Sequence, residues 1–540
     1  ILGKSSEDIF AVIDDLTREI KNDLRLPAQA YSEPDPAVAD ITTHSEAAYR
    51  LYLVGLDYRN KYYFDDAARC FREALAIDST LAMAYYQLTW TATGAGLRKA
   101  LDGLSAFSDK LNWKDWQYAT ARQAFFAGNY QESIGLLRKI LERYPDEKEA
   151  YFQIGAYYRY GPSWNDSTVI YAKQAIGLDS LYGAAYNMLA YAYNDLGDVE
   201  KALDAVDHYI AIAPDEANPY DSKLDILAKN GRIAEAIKAG EKAIAIKPDF
   251  YHAVEVLGMS YVYNKQYEKA AECFRTLAAG SDADYRMTGR RLLPYIPLYQ
   301  GKFKEAFRVL DDAFAADRIE QNERPKAMIL KMMMQLYIYF QQQDYVTGKA
   351  FCERSMAIYR RANPQSIAYL RDGYVHFLVA LGEIEQAKTV AEELRKDIEE
   401  KAPGQMDKYW YVQGIIAFGE QDFESAIRYL KHTAEMRKGH ENYGLFITDY
   451  WLARAYQEAG HLEDAAAIYE SLHSTYNEYR LFWATASVKS HYQLGRVYED
   501  LGRPEKAIGQ YREFIDIWKE ADNGKTLIED ARKRLARLGG

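Results

Sequence analysis

Tyr118 and Arg122, Tyr450 and Arg454, and Tyr492 and Arg496 are each four residues apart. On a helix that spacing puts a phenol and a guanidinium on one face, one turn apart. Such pairs suit recognition. Arg grips carboxylates through a planar fork of donors, and Tyr and Arg are enriched at binding hot spots. Groups for bond-making chemistry show no comparable order. The nine His include no HExxH, and His432 and His440 are too loosely spaced for a recognised metal motif. The segment NGKT (523–526) has Lys519 where a phosphate loop carries its first Gly, and no strand precedes it. The GAG at 94–96 is not a dinucleotide fingerprint, and no Cys-x-x-Cys pair exists. Acidic pairs such as Asp14-Asp15 and Asp65-Asp66 read as solvated helix faces and N-terminal turns. The expectation is a non-enzyme with no cofactor and no metal.

Composition narrows what must position these pairs. A chain of 540 residues exceeds the roughly 250–300 over which one compact core keeps growing, so several domains or a repeat array are expected. Only 14 Pro argues against many long loops, while 47 Tyr raise the aromatic share to 14% and call for a structural explanation. A net charge of −12 disfavours direct nucleic-acid binding, which needs Lys and Arg to neutralise phosphates. Cys70, Cys273 and Cys352 are odd in number, far apart and set in helical apolar patterns, so they read as small core residues. No apolar run approaches the ~20 residues of a spanning helix. Membrane insertion by this chain is therefore not expected, and an anchor elsewhere in a full-length protein stays open. The opening ILGKSSEDIF has neither an initiator Met nor a signal-peptide pattern and reads as the cut edge of a longer protein. The compartment is left unassigned.

Internal spacing supplies the architecture. Tyr186 recurs as Tyr220, Ala202 as Ala236 and Ala270, Gly197 as Gly231, and Pro214 as Pro248, each a step of 34 residues. A period of this size signals a solenoid. Within each unit, a helical apolar pattern leads through a Gly-containing turn to a second helical stretch, so the unit is a helix–turn–helix. These residues resemble the tetratricopeptide repeat. Residues 48–81 carry its bulky Leu51, Val54-Gly55, Tyr58, Ala67, Phe71 and Ala74, with Ser79 in place of Pro. Residues 251–286 carry Leu257-Gly258, Tyr261, Ala270 and Phe274, and residues 488–521 carry Leu494-Gly495, Tyr498, Gly502, Ala507 and Tyr511. The resemblance implies an all-α superhelix of about 12–13 such repeats. One hairpin cannot bury its apolar face alone and must stack on neighbours.

Four regions are expected: 1–45 as an N-terminal helix and linker, 46–286 with 34-residue repeats, 287–521 with repeats of 39–42 residues, and 522–540 as a capping helix. The longer repeats resemble those of kinesin light chains and some bacterial regulators, with one and a half to two extra helical turns at about 3.6 residues each. Pro294 and Pro297, in RRLLPYIPLYQG (290–301), fall inside a first helix and should kink it. The stretches at 94–111 and 160–170 read as divergent repeats with extra surface loop. At the N-terminus, DIFAVIDDLTREI followed by ADITTHSEAAYRLYLVG resembles the junction between a TolB-like α/β domain and tetratricopeptide repeats. Bacterial Ser/Thr kinases, adenylate cyclases and winged-helix regulators carry that junction. It implies that Ile1–Leu24 is the tail of a further domain.

The repeat register also sorts the aromatics. By resemblance, positions 4, 7, 8 and 11 pack between helices, and positions 5, 9 and 12 of the first helix face a concave groove. Tyr58, Tyr158, Tyr186, Tyr193, Tyr261, Tyr456 and Tyr498 are then packing residues. The groove set is Tyr52 and Arg59, Tyr118 and Arg122, Phe152 and Arg159, Asn187, Tyr191 and Asn194, Asp221 and Asp225, Glu255, Arg291 and Tyr295, Tyr411, Tyr450 and Arg454, and Tyr492 and Arg496. This describes a groove with basic–aromatic ends and an acidic, amide-bearing middle, suited to a protein or peptide partner. No unit has the Lys–Asn pair of the chaperone-binding carboxylate clamp, so chaperone tails are disfavoured. The expected role is an interaction scaffold, as the sensory or regulatory region of a bacterial signalling protein. The alternatives are an assembly subunit docking through convex or end surfaces, and an accessory region of an enzyme.

Overall fold

The computed structural model describes residues 9–23, 42–161, 166–315, 318–362, 367–437, 445–522 and 524–540. Most of the linker at 25–45, the centre of the 160–170 stretch, His440 and Asn523 lie outside them. Among the described residues the chain is helical throughout, from helix Ile9–Asp23 to helix Lys525–Arg537, with no strand. It forms the expected all-α solenoid. Helices alternate as hairpins, for example Glu46–Asn60 with Phe64–Ile77, Gly183–Asp195 with Val199–Ile212, and Tyr251–Tyr263 with Tyr267–Ala278. The divergent stretch at 94–111 is a helix over Gly94–Ala106 that pairs with Ala82–Thr91.

One turn recurs at position 15 of the repeat. Gly128, Gly197, Gly231, Gly301, Gly382, Gly460 and Gly502 all sit there with φ between 68° and 83°. In each case a first helix must stop and reverse within a few residues. At Gly197 the reversal is held by Gly197 N–H donating to Asn194 O at 2.9 Å and Asp198 N–H donating to Tyr193 O at 2.9 Å. This pairing of bonds satisfies the carbonyls a helix end leaves open and requires a left-handed residue. Tyr62, Lys265, Gln343 and Gln421 occupy the same position without being Gly, at φ of 60–66°. A Cβ in that region is crowded against the following carbonyl, so these four turns carry strain the others lack.

Small and large residues interlock inside each hairpin as the repeat pattern requires. A Cβ on Gly55 would lie 2.5 Å from the Phe71 ring, on Gly258 2.5 Å from Phe274, on Gly414 2.6 Å from Leu430, and on Gly495 2.6 Å from Tyr511. Ala67, Ala202, Ala236, Ala270, Ala426 and Ala507, from the second helices, are fully buried. The three free cysteines are buried as well.

Backbone contacts divide the chain into two compact units: 1–226 with 245–250, and 227–244 with 251–540. The division falls one repeat before 286–287, where the repeat lengthens, because residues 263–303 pack onto residues 477–522 at the far end of the second unit. Pro294 does break its helix: Ala283–Leu292 ends and a short helix, Tyr295–Tyr299, restarts. The added residues of the later repeats are shared between helices and connections. Arg324–Gln341, Tyr345–Ala362 and Ile384–Lys401 reach 18 residues each, whereas Glu478–Phe482 is a separate short helix.

Replacing Gln421 by Gly should stabilise the protein by about 0.5–1 kcal/mol, since relief of roughly 1–2 kcal/mol of left-handed strain exceeds the entropic cost of Gly. Gly495→Ala should destabilise it by about 1–3 kcal/mol through overpacking on Tyr511. Thermal or urea unfolding of the two variants measures both signs.

Candidate functional site

In the first unit the opening hairpin turns inward. Tyr63, next to the strained Tyr62, accepts from Ala217 N–H at 3.1 Å through its hydroxyl and packs its ring 5.8 Å from Phe250. Lys247 bonds Asp66 at 2.9 Å. Residues 154 and 181 positions apart are thereby joined within the unit. A polar network fills the space between. Arg59 pairs with Glu149 at 3.2 Å, Tyr182 donates to the same carboxylate, and Gln153 donates to Tyr86 Oη at 2.8 Å. Burial opposes ionisation of Glu149, but Arg59, followed by these hydrogen bonds, outweighs it and lowers the pKa.

Most of the first unit's groove residues have intramolecular partners. Tyr118 is buried, and Arg122 lies 3.5 Å over the Trp90 ring while donating to Thr89 O at 2.8 Å. Arg159 pairs with Asp195 at 3.0 Å and stands 4.9 Å over Tyr191. Asn187 is buried and accepts from Ser222 Oγ at 2.8 Å. Asp221 and Asp225 are buried beside Tyr191, where burial first and then their charges hold the phenol neutral. Asn194 is part-buried. Tyr58, Tyr158, Tyr186 and Tyr193, assigned to packing, are part-buried, whereas Tyr118, Arg122, Asn187, Asp221 and Asp225 are buried.

The second unit also closes on itself. Trp518, 1% exposed, donates from Nε1 to Tyr299 O at 3.0 Å. The Asp522 carboxylate accepts from Phe303 N–H at 2.9 Å and Lys304 N–H at 2.8 Å, capping helix Phe303–Ala313 from far along the chain. Lys265 reaches Glu513 and Asp516, and Tyr263 donates to Asn477 O at 2.6 Å. Arg291 stacks 4.3 Å over Phe482, which also meets Tyr295. Glu255 is held above its usual pKa, first by burial and then by Glu478. Tyr411 packs against His376, whose pKa burial pushes down to about 4.

The three Tyr–Arg pairs therefore have different fates. Tyr450 and Tyr492 are buried like Tyr118. Arg454 stands against rings: its guanidinium carbon is 4.8 Å from the centroids of both Phe418 and Trp451, and among the described residues it has no ion-pair partner. Arg496 has a single long bond, 3.4 Å to Gln493 Oε1, although Tyr492 donates to Asp530 at 2.7 Å. Position-based reasoning missed Lys489, at position 2 of its repeat. Its ammonium donates to Gln341 O at 3.4 Å, and burial, then the charge of Arg454, lowers its pKa to about 8. Only closure of the unit brings helix Arg324–Gln341 to it, so no local pattern could have found it. For Tyr62 and Tyr63 a signal existed: an aromatic where the turn calls for Gly. Among the described residues no group of three His, Cys, Asp or Glu is placed to hold a metal ion, and no helix is long and apolar enough to cross a membrane.

With this geometry in place, comparison with known proteins gives the fold its class. Tetratricopeptide-repeat family models match residues 117–147, 183–216, 217–250, 448–471 and 488–517. The structure is a tetratricopeptide-repeat solenoid. Among solved structures, the crystal structure of MamA is 24% identical over 29% of this chain and 91% of its own, with a TM-score of 0.26. MamA 41-end from Desulfovibrio magneticus RS-1 is 17% identical over 30% of this chain and 92% of its own, also with a TM-score of 0.26. No curated protein matches.

A lysine whose folded pKa is depressed destabilises the fold while it must carry its charge, and that loss fades as pH rises from the folded to the unfolded value. The stability gap between Lys489→Met and the parent protein should therefore shrink from about pH 8 towards pH 10, and be constant below pH 7. Urea unfolding of both proteins across that range checks the slope.

Proposed function

We propose that the chain is a non-catalytic protein-interaction scaffold whose second unit binds an acidic peptide segment through Arg454 and Arg496. Tetratricopeptide repeats in general make protein-binding scaffolds, and the repeats matched at 448–471 and 488–517 are those that carry both arginines. The observation that carries the reading is electrostatic. Two buried arginines of this unit are matched by carboxylates, Arg290 with Glu323 at 2.7 Å and Arg437 with Asp407 at 2.8 Å, and a third, Arg480, by the carbonyls of His473 and Thr475. Among the described residues, Arg454 and Arg496 have no carboxylate within ion-pair distance, and both belong to Tyr–Arg pairs. An incoming carboxylate would satisfy forks that the protein itself leaves open. In this reading the first unit's set, from Tyr118 and Arg122 through Arg159, Asn187, Tyr191 and Asn194 to Asp221 and Asp225, holds the concave side in shape. Glu255 and Arg291 do the same in the second unit. A place in a bacterial signalling protein is supported by the resemblance at Asp8–Ile20 and Ala39–Gly55 alone.

A fluorescently labelled acidic peptide should bind with an affinity that falls as salt rises, since exposed charge pairs are screened within about 10 Å at 0.1 M salt. The Arg454→Ala/Arg496→Ala double variant should bind at least about tenfold more weakly, a loss expected of two hot-spot arginines. Unchanged polarization titrations, with helicity intact by circular dichroism, would sink the reading.

A further inference from the structure

Two imidazoles lie flat against each other inside the second unit. His473 ends helix Leu462–His473, His491 lies within helix Ala484–Asp500, and their rings stack with centroids 3.8 Å apart and planes 20° from parallel. His491 is buried and His473 part-buried. Hydrogen bonds fix where each keeps its proton. Ser490 Oγ donates to Ser487 O at 2.5 Å, so His473 Nε2–H donates to Ser490 Oγ, 2.8 Å away. His491 Nδ1–H donates to Gln510 Oε1 at 2.7 Å, which leaves its Nε2 a bare lone pair without a partner. Both rings are then neutral, each with one nitrogen open to a proton. Arg480 ties this pair to the closure of the unit. It donates through Nε to Ser487 Oγ at 3.1 Å, and through Nη1 to His473 O at 2.9 Å and Thr475 O at 3.3 Å. Its guanidinium carbon stands 4.8 Å over Tyr476 and 5.2 Å over Tyr263, and Tyr263 donates to Asn477 O at 2.6 Å.

The charges around the stack are basic or already engaged. Arg480 bears on both rings and Lys265 on His491, while Lys489 shares the His491 helix. From helix Pro504–Ile517, Glu513 and Asp516 pair with Lys265, and Tyr511 donates to Glu499. From helix Leu445–Ala459, Tyr450, Arg454 and Glu458 bear on Tyr469. Glu470 holds Tyr498 and Lys506, Glu478 faces Glu255, and Tyr299 lies near Arg480. Among the described residues neither imidazole has a carboxylate within ion-pair distance.

A proton on either ring would set a charge against its stacked neighbour and beside Arg480, with no anion to balance it. Like charges held away from water are costly, and parting the rings restores their hydration. We propose that the His473–His491 stack is an acid-sensitive latch: proton uptake by the pair parts the rings and frees residues 473–483 from Tyr263, opening the closure while the repeats stay folded. Release would bare the Tyr263 and Tyr476 rings, which meet at 5.7 Å in the closed unit. Burial first, and then Arg480, holds His491 down at about 3, and burial, then His491 and Arg480, holds His473 well below the ordinary value. Both imidazoles bind protons more tightly once released. The closed form is therefore fully stable above the ordinary imidazole value of about 6.5 and loses stability as pH falls below it. With two protons taken up, the closed-to-open ratio falls by up to about 100-fold per pH unit. The latch stands apart from the acidic-peptide reading, since Arg454 and Arg496 are no part of it.

The test is hydrogen–deuterium exchange of the full chain at about pH 7.5 and pH 5, expressed as protection factors so that the intrinsic pH dependence of amide exchange drops out. Protection of the amides at 474–483 should fall at least about 100-fold between the two, while helix Ile384–Lys401 of the same unit changes less than about tenfold. Equal loss in both segments is global unfolding and overturns the latch. The His473→Gln/His491→Gln double variant keeps hydrogen-bonding groups but cannot take up these protons, so its protection at 474–483 should change less than about tenfold. His491→Phe, the second variant, keeps a ring in the stack and should limit the fall to about tenfold per pH unit, the slope of one proton. His376, buried elsewhere in this unit, titrates alike in parent and variants and cancels from the comparison. No fall in the parent protein, or an undiminished fall in both variants, overturns the proposal.

Discussion

In four hairpins two helices approach too closely for a side chain between them. At position 8 of the repeat the first helix offers Gly55, Gly258, Gly414 or Gly495, and the second lays Phe71, Phe274, Leu430 or Tyr511 into the gap. The contact sets the hairpin's geometry, and the hairpin's remaining apolar face then has to be covered by the next. Repetition follows from that need for cover, and the superhelix from repetition.

A superhelix normally leaves its concave side to solvent or to a partner. Here each unit makes long-range contacts with itself. In the first unit the turn at Tyr62 and Tyr63 reaches residues around 217 and 250, and Arg59, Glu149, Gln153 and Tyr182 fill the space with hydrogen bonds. In the second, Trp518 and Asp522 tie the last repeat to Tyr299, Phe303 and Lys304. The abundance of tyrosine makes physical sense in this setting. A concave wall folded onto itself needs side chains that bury a large ring and still finish in a hydrogen-bonding group. Tyr86, Tyr263 and Tyr337 each do this across repeats.

The same closure separates three sequence-equivalent pairs. Tyr118–Arg122, Tyr450–Arg454 and Tyr492–Arg496 occupy one register and one spacing, yet Arg122 is stacked on Trp90 and bonded to Thr89 O, Arg454 lies against the Phe418 and Trp451 rings, and Arg496 bonds Gln493 Oε1. Rings lie against both Arg122 and Arg454, and what differs is the Thr89 carbonyl that the neighbouring repeat adds at Arg122. The helices, the turns and the interlocking of small with large residues were legible because each depends on residues within one 34-residue unit. The kink at Pro294 was legible for the same reason, since a missing amide acts on its own helix. The division between units was not, because it depends on which distant repeats touch.

The sequence by itself determined the repeat: Gly or a strained substitute at position 15, a small residue at position 8 and a ring or Leu at position 24 act through bonds and contacts a few turns apart. Only the tertiary structure decided which partner each member of the candidate set meets inside the protein. Gln341 and Lys489 are 148 residues apart, and so are Tyr337 and Thr485. Whether a guanidinium meets a carboxylate, a carbonyl or an aromatic ring depends on how far the superhelix has turned when it returns to itself. That angle sums small rotations over many repeats, and no single repeat encodes it.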